Sequence, residues 1–397
     1  MGRNRPRWWR SVVLVAGLGA TAGIWLGVQS VADGPPWQRP LRLLQPIPVA
    51  RLLSAGGEAL WTSRRVRVVA VVPGQMPTWA RRMLPRRLRQ VTEGLWTAPP
   101  AGWVDSAVAG IHTISVNLPY PVTGVSPTLL AVAARGAGAW RTAAVVPQPG
   151  AWQPRVAGEK STSLQLRLVH RVSGAIPSGG VAIVLGGQGQ ILAAEANPSG
   201  RGMIWQPYPA GLTLIPPLLA QALVAPSLLA GMKTSTGLPL LTGLADRWGG
   251  AAVNRALARL GLGRGMAIPG QPVPNPALPS ASPLEMSFGR ALWATPLEVA
   301  RAYLPFVDGG ALPAVSTTAP SSARQAPATP VATVHALSTV SGSLPEIVAG
   351  PLRFRVWRPA GSFAVAFTGQ AHGLVVVAAG PATARFLSLL KTVAKSF

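Results

Sequence analysis

Few side chains in this sequence have the types and spacing that catalysis or metal binding requires. The chain contains no cysteine, which excludes thiol chemistry, disulfides and cysteine metal sites. Its histidines, His112, His170, His335 and His372, are scattered, and none lies three or four residues from another. Because zinc ligands usually occur at such short spacings, the sequence predicts neither a metal site nor a cofactor.

Two short segments have the residue types of nucleotide-binding loops but not their context. Residues 233–237, Lys-Thr-Ser-Thr-Gly, lack the Gly-Lys pair and the upstream glycine of a phosphate-binding loop. Residues 261–265, Gly-Leu-Gly-Arg-Gly, follow a predicted helix, whereas a dinucleotide fingerprint follows a strand. We interpret the second segment as a helix terminator and turn.

The first element that would position the chain is an apolar run without charge over residues 11–32. A helix of this length rises about 33 Å, which is enough to cross a hydrocarbon core of roughly 30 Å. Four arginines lie within residues 1–10, and the positive-inside rule keeps that tail in the cytoplasm. A cleaved signal peptide is the alternative, but the run is long and its Gly-Pro-Pro-Trp flank is poor for cleavage. The sequence predicts a single-pass anchor in the cell membrane, with the bulk of the chain extracytoplasmic.

The charge of the chain is strongly positive. Lysine and arginine number 36 against 11 acids, for a net charge of +25, and only four of these cations are lysine. A compositional bias explains this without a function, and an acidic exterior is a second explanation. The functional alternative is contact with an anionic lipid or wall polymer. Nucleic acid is not an expected partner of an extracytoplasmic chain. The densest cluster consists of Arg81, Arg82, Arg86, Arg87 and Arg89, which forms either a solvated face or contacts with an anionic surface.

Residues 33–155 are predicted to form a small α+β or β-rich module. A short helix is expected over Leu41–Leu60 and a strand over Val66–Val72, where β-branched residues cluster. Three further short runs between Gly/Pro turns are predicted as strands: Ile111–Leu118, Thr128–Ala134 and Trp140–Val146.

Residues 156–397 have longer helix and strand patterns and are predicted to form a second domain. Helical spacing is expected over Ser161–Val172, and a Gly-rich turn over 186–190 joins two predicted strands, Val181–Leu185 and Ile191–Ala194. Helices are then expected over Leu212–Val224, broken early by a Pro-Pro pair, and over Leu238–Leu262.

The rest of this second domain completes the predicted sheet. Thr295 and Glu298 form a capping box at the start of a further helix, and residues 314–330 are predicted as a flexible loop. The last elements are three strands and a closing helix: Phe354–Trp357, Phe363–Phe367, Leu374–Ala378 and a helix from Ala382. This order predicts an α+β fold in which helices flank an antiparallel sheet.

The order of these blocks resembles the transpeptidase domain of penicillin-binding proteins, the membrane-anchored enzymes that cross-link peptidoglycan. The resemblance covers about 160–397 and implies a fold of the penicillin-binding protein and serine β-lactamase type. The blocks that carry it are the hairpin of residues 179–193, Tyr-Pro-Ala-Gly-Leu-Thr-Leu-Ile-Pro at 208–216, Phe-Gly-Arg-Ala-Leu-Trp-Ala-Thr-Pro-Leu-Glu-Val-Ala at 288–300, and Asp-Gly-Gly at 308–310.

The reactive residues of that family are missing from the matching positions. The family's serine nucleophile and the lysine one helical turn later correspond to Leu212 and Ile215, which can neither attack a carbonyl nor accept a proton. Its second motif, Ser-x-Asn, falls best on residues 235–237, where Ser235 is kept but Gly237 replaces the amide.

The family's third motif, Lys-Thr-Gly on an edge strand, should lie within residues 352–360. The motif is absent there, and Arg353, Arg355 or Arg358 would have to replace the lysine's charge. Pro359 would interrupt an edge strand that binds a peptide by backbone pairing.

These departures favour one function and leave two alternatives. The first is a catalytically inactive scaffold or regulator of cell-wall synthesis, division or sporulation, with peptidoglycan or cell-wall and division proteins as partners. The second is an active transpeptidase or carboxypeptidase with a displaced nucleophile, for which Ser227 and Ser235 are the candidates. The third is an Arg-rich extracytoplasmic module that binds anionic lipid or wall polymer.

Overall fold

A computed structural model describes part of the chain: residues 43–71, 82, 96–97, 111–122, 124–145, 156–197, 204–222, 251, 254–262, 267–268, 271–272, 292–318, 329–330, 332–359, 362–369 and 371–397. These residues fall into two compact units. The second unit consists of residues 54–58, residues 123–136 and those from 161 onward, and the first contains the rest.

The described part of the first unit is built from short antiparallel pairings. Its strands are β1 (Leu43–Pro48), β2 (Arg51–Leu53), β3 (Trp61–Val71), β4 (Trp96–Thr97), β5 (Ile111–Pro121), β6 (Trp140–Val145) and β7 (Glu159–Ser161). Strand β3 lies between β4 and β5 and pairs with β5 along its full length, while β1 pairs with β6. The predicted strands at 66–72, 111–118 and 140–146 are confirmed within these bounds.

The helix predicted over Leu41–Leu60 is wrong, because the described residues from 43 onward form β1, β2 and a turn. Pro46 and Pro48 explain the error, since the residue before a proline is disfavoured in helical conformation. Strand β6 then offers backbone partners along the whole of β1, from Leu43 opposite Val145 to Pro48 opposite Trp140. Pairing with a distant strand therefore decides the conformation here.

The strand predicted over Thr128–Ala134 is also wrong, because these residues form helix α1 (Pro127–Gly136) of the second unit. Its start has strong signals: proline in the first turn, and Ser126, whose hydroxyl accepts the Leu129 N–H at 3.1 Å. Leu129, Leu130, Ala133 and Ala134 are fully buried, which gives the helix one apolar face.

The remaining helices whose bounds lie within the described part of the second unit are α2 (Leu166–Ala175), α3 (Ile215–Ala222), α4 (Pro296–Ala302), α5 (Val334–Gly342) and α6 (Phe386–Ala394). Its strands are β8 (Val181–Gly186), β9 (Ile191–Ala196), β10 (Tyr208–Pro209), β11 (Ala267–Ile268), β12 (Gln271–Pro272), β13 (Trp293–Ala294), β14 (Ala311–Leu312), β15 (Thr329–Pro330), β16 (Glu346–Ala349), β17 (Leu352–Trp357), β18 (Phe363–Thr368) and β19 (Leu374–Ala379). The predicted hairpin and the three late strands are confirmed, whereas β16 and α5 were not predicted.

Six of these strands form one antiparallel sheet in the order β16-β17-β18-β19-β8-β9. Every residue of β8, β18 and β19 is buried, so both faces of the centre of the sheet are covered. Helix α2 packs on β9 and on α6, while α4 packs on β8 and β19. The predicted antiparallel sheet flanked by helices is therefore confirmed. The largest fully buried side chains are Tyr303, Phe354, Phe363, Phe367 and Phe386.

Several helix boundaries differ from their predictions for local reasons. Helix α2 begins at Leu166 instead of Ser161, because β7 and the isolated bridge between Thr162 and Thr318 hold the preceding residues extended. The closing helix begins as a 3₁₀ turn over Gly380–Arg385 and becomes α-helical only at Phe386. In both places the tertiary pairing or turn delays the helix that the apolar spacing predicts.

Two turns depend on a glycine with positive φ, and the first of them is the predicted helix terminator. The helical residues 254–259 end at Gly261, which has a φ of 83° and donates to the Ala258 carbonyl, while the Leu262 N–H donates to the Leu257 carbonyl. This pair of bonds is a Schellman terminator. Gly310, in the Asp-Gly-Gly block, has a φ of 99°, and a Cβ there would lie 2.1 Å from the Ala332 carbonyl oxygen, so only glycine fits.

Candidate functional site

The Leu212 turn, which we define as residues 211–215, joins β10 to α3. Strand β10 pairs with β13, and the Ala210 N–H donates to the Leu292 carbonyl at 2.8 Å. A 3₁₀ turn over Gly211–Leu214 then leads directly into α3. The sequence predicted that the prolines at 216 and 217 would break this helix early, and this prediction is wrong. They occupy its first turn, where the missing N–H groups have no helical acceptor.

Two aromatic side chains from distant elements hold the backbone of the Leu212 turn. The indole N–H of Trp357, at the end of β17, donates to the Leu212 carbonyl at 3.0 Å. The Tyr303 hydroxyl, which follows α4, donates to the neighbouring Thr213 carbonyl. Burial raises the pKa of Tyr303 well above its usual value, so this hydroxyl keeps its proton and remains a donor. The turn is thereby fixed against the sheet.

The side chains of the Leu212 turn carry no group able to act as nucleophile or base. Leu212 is half-buried, and Ile215 is buried with 3% of its surface exposed. Thr213 has a hydroxyl, but it is fully buried and finds no hydrogen-bond partner within the described residues. Among the residues that the structure describes, no base is hydrogen-bonded to this buried alcohol to accept its proton.

The arginines of β17 lie close in sequence to Trp357 but engage other partners. Arg355 forms an ion pair with Glu346 at 2.8 Å and donates to the Leu344 carbonyl at 3.2 Å. Arg353 is mostly exposed and reaches the same carboxylate at 3.4 Å. Arg358 lies beyond the strand and is exposed. The structure therefore brings Trp357, and neither Arg353 nor Arg355, into a hydrogen bond with the Leu212 turn.

The family resemblance implied that β17 would be an edge strand, but another strand pairs with each of its sides. Strand β16 covers it, with Glu346 opposite Arg355 and Ala349 opposite Leu352, and the Val356 N–H donates to the Pro345 carbonyl at 2.9 Å. The expectation that Pro359 would interrupt an edge strand is thus corrected: β17 ends at Trp357, and its outer side is already paired. A peptide has no free backbone groups to pair with over 352–356.

Buried ionisable groups near the sheet are explained by the fold. Glu298 accepts the Thr295 N–H at 2.8 Å in the predicted capping box, and burial raises its pKa. Burial also lowers the pKa of Arg301, whose Nε donates to the Pro313 carbonyl. Glu195, on β9, is 3% exposed, and burial raises its pKa well above the usual value even though the Ser126 N–H donates to it. These groups lie in helix caps and packing contacts.

Other candidate residues are either exposed or outside the described residues. His170 and His372 are both exposed. Within the described ranges, no three His, Cys, Asp or Glu residues come together in a way that could hold a metal. Arg82 is exposed. Seven candidate residues lie outside the described part of the chain: Arg81, Arg86, Arg87, Arg89, Ser227, Ser235 and Gly237.

The predicted membrane anchor, residues 11–32, also lies outside the described residues. Among the helices that the structure does describe, none has the length and apolarity needed to span a bilayer.

Sequence reasoning missed Trp357 and Tyr303 as the residues that hold the Leu212 turn. Trp357 was predicted only as the last residue of a strand, and Tyr303 only as part of a helix. No local pattern identifies them, because their partners lie 145 and 90 residues away in the chain. The available signal was chemical: the indole N–H of Trp357 and the hydroxyl of Tyr303 are donors that need an acceptor when buried.

Comparisons with known proteins give a likeness in fold. No protein-family model and no curated protein matches the sequence. Among solved structures, the crystal structure of a peptidoglycan glycosyltransferase from Burkholderia ambifaria is similar, with a TM-score of 0.50 and 17% sequence identity. The match covers 58% of this chain and 93% of that one. Identity at this level speaks for the fold alone. The chain therefore contains a fold similar to that of this enzyme of peptidoglycan synthesis, of the penicillin-binding-protein type.

Proposed function

We propose that this protein is a catalytically inactive, penicillin-binding-protein-like scaffold or regulator of peptidoglycan synthesis. In this proposal residues 11–32 anchor it in the cytoplasmic membrane, and the second unit acts outside the cytoplasm. Its partners are peptidoglycan or other proteins of the cell-wall machinery. The fold likeness to a peptidoglycan glycosyltransferase supports the link to the cell wall.

The observation that carries the proposal is the composition and contacts of the Leu212 turn. Leu212 and Ile215 stand where the resembling family has its serine and lysine, and the Leu212 carbonyl is bonded to Trp357. Acyl transfer needs a nucleophile with an adjacent base, and neither is present in this turn. The covered edge of β17 also removes the backbone pairing that would hold a peptide substrate beside it.

The chemical part of the proposal is tested with a labelled penicillin. The purified full chain in detergent is incubated with the label beside a penicillin-binding protein that has its serine intact. We expect a covalent adduct on that control protein and none on this chain, because Leu212 offers no hydroxyl. An adduct on this chain would overturn the proposal, and its mapping to Ser227 or Ser235 would establish a displaced nucleophile.

The cellular part is tested by wall labelling. A strain lacking the chain is expected to incorporate a fluorescent D-amino acid into its wall at an altered rate or pattern. Complementation with the natural chain and with Leu212→Ala should restore labelling equally, because no chemical step uses this side chain. Unchanged labelling in the deletion strain would remove the link to wall synthesis.

Anchoring is tested separately by fractionation. The full chain is expected in the membrane fraction after a carbonate wash, and a chain lacking residues 11–32 is expected to be released by it. Release of the full chain would contradict the anchor and leave the chemical part of the proposal untouched.

A further inference from the structure

A strongly basic surface lies on helices α2 and α6 of the second unit. We call it the basic face and define it by four exposed cations: Arg167, Arg171, Lys391 and Lys395. The two arginines are four residues apart on α2, and the two lysines are four residues apart at the end of α6. Residues at this spacing share one side of a helix, so each helix presents a pair of cations to solvent.

The two pairs belong to one surface because the helices pack together. Helix α2 contacts α6, and the Arg171 guanidinium donates to the Lys395 carbonyl and to the Ser396 hydroxyl. Both helices bury apolar residues, among them Leu168 and Val172 of α2 and Leu389 and Val393 of α6. The remaining sides of both helices carry the cations.

No acid offsets these charges within the two helices. Residues 166–175 and 380–396 contain no aspartate or glutamate. Strand β16 also packs on α6, but its Glu346 carboxylate is already paired with Arg353 and Arg355. None of the ion pairs within the described part of the chain involves the basic face.

Large apolar side chains are exposed beside the cations. Leu387 is 44% exposed and precedes Lys391 by four residues, so Leu387, Lys391 and Lys395 form one stripe along α6. Phe397, two residues after Lys395, is 48% exposed. A soluble anionic polymer offers no apolar region to such side chains. The boundary between lipid headgroups and acyl chains, in contrast, accepts apolar side chains next to cations.

We propose that the basic face lies on the surface of an anionic phospholipid bilayer. Arg167, Arg171, Lys391 and Lys395 would meet phosphate headgroups, and Leu387 would enter the interfacial region. The inference is independent of the proposed scaffold function and of the N-terminal anchor. It assigns a membrane-facing side to the second unit.

The experiment uses the absence of cysteine from the chain, which allows labelling at one chosen site. Leu387→Cys in the full chain is labelled with an environment-sensitive fluorophore and mixed with vesicles of phosphatidylglycerol and phosphatidylcholine. We expect a blue shift and an intensity gain that salt reverses, and no change with phosphatidylcholine alone. Val334→Cys, at a 60% exposed position on α5, is the matched control and should respond to neither vesicle.

Charge removal tests the contribution of the cations. Lys391→Gln with Lys395→Gln should weaken the response of the Leu387 probe about 30-fold in lipid concentration, since each cation contributes about 1 kcal/mol at an anionic surface. Arg255→Gln with Arg259→Gln removes two exposed cations at the same spacing from another helix and should have no effect.

Three results would overturn the proposal. The first is a Leu387 probe that stays silent with anionic vesicles, and the second is a probe that responds equally to both lipids. The third is a response to soluble polyglutamate as strong as that to vesicles, which would identify an anionic polymer as the partner. If the lysine variants fold poorly, reversal of the fluorescence change by salt in the labelled Leu387→Cys protein, which keeps all four cations, still tests the contribution of charge.

Discussion

Helices α3 and α4 begin in the same setting but are stabilised in different ways. Each follows a two-residue strand, and these strands, β10 and β13, pair with each other. At α4, the Thr295 hydroxyl accepts the Glu298 N–H, and the Glu298 carboxylate accepts the Thr295 N–H. At α3, no side chain caps the preceding turn, and the donors of Trp357 and Tyr303 hold its carbonyls from far along the chain.

The two helix starts differ in the polar groups that stabilise them. At α4, buried polar side chains complete a helix end, and burial there raises the pKa of Glu298. At α3, the corresponding first turn is apolar, and its hydrogen bonds go to the backbone. The cap of α4 therefore explains the buried carboxylate of Glu298, whereas the Leu212 turn is held by long-range hydrogen bonds to its backbone.

The largest expected effect comes from restoring the family's lysine in the Leu212 turn. Ile215→Lys should lower the free energy of unfolding by about 3–5 kcal/mol, the cost of a buried charge without a partner, because Ile215 is 3% exposed. Ile215→Met, the matched control, should cost less than about 1.5 kcal/mol. Denaturation followed by circular dichroism measures both. A Lys variant as stable as the Met variant would mean that the turn still accommodates a catalytic amine.

The second prediction concerns the cap of α4. Thr295→Ala should cost about 1–2 kcal/mol, because it removes the acceptor of a buried helix N–H. Thr333→Ala at the exposed start of α5, where the hydroxyl accepts the Ala336 N–H at 3.2 Å, should cost at the lower end, about 0.5–1 kcal/mol. Thermal unfolding of both variants provides the measurement. Equal losses would show that burial adds nothing to the α4 cap.

The third prediction concerns the long-range bond at α3. Trp357→Phe keeps an aromatic ring and removes the N–H donor, so it should cost about 1–1.5 kcal/mol. Amide exchange in residues 211–215 should increase, because the hydrogen bond from the indole to the Leu212 carbonyl is lost. Trp293→Phe, at a 48% exposed position on β13, should leave that exchange unchanged. Unaltered exchange in Trp357→Phe would assign the rigidity of the turn to Tyr303 alone.

The smallest effect is expected for restoring the family's serine. Leu212→Ser should cost about 0.75–1.5 kcal/mol, because Leu212 is only half-buried and a full leucine burial contributes about 1.5–3 kcal/mol. The variant should still form no adduct with a labelled penicillin, because Ile215 supplies no base. An adduct would show that another residue activates the new hydroxyl.

The sequence alone determined the elements whose signals are local. Alternating or continuous apolar runs predicted β8, β9, β17, β18 and β19, and these are confirmed. The Thr295 and Glu298 capping box was predicted because its partners lie within one helical turn. The absence of a nucleophile and base at Leu212 and Ile215 is likewise a property of residue identity, and its functional meaning stays a prediction.

Only the tertiary structure decided which distant groups meet. Apolar composition did not distinguish the helix α1 from a strand, and it did not reveal that β1 pairs with β6. The bonds from Trp357 to the Leu212 carbonyl and from Tyr303 to the Thr213 carbonyl join residues 145 and 90 positions apart in the chain. Such contacts depend on where the whole sheet places its edges and ends. No window of neighbouring residues contains that information.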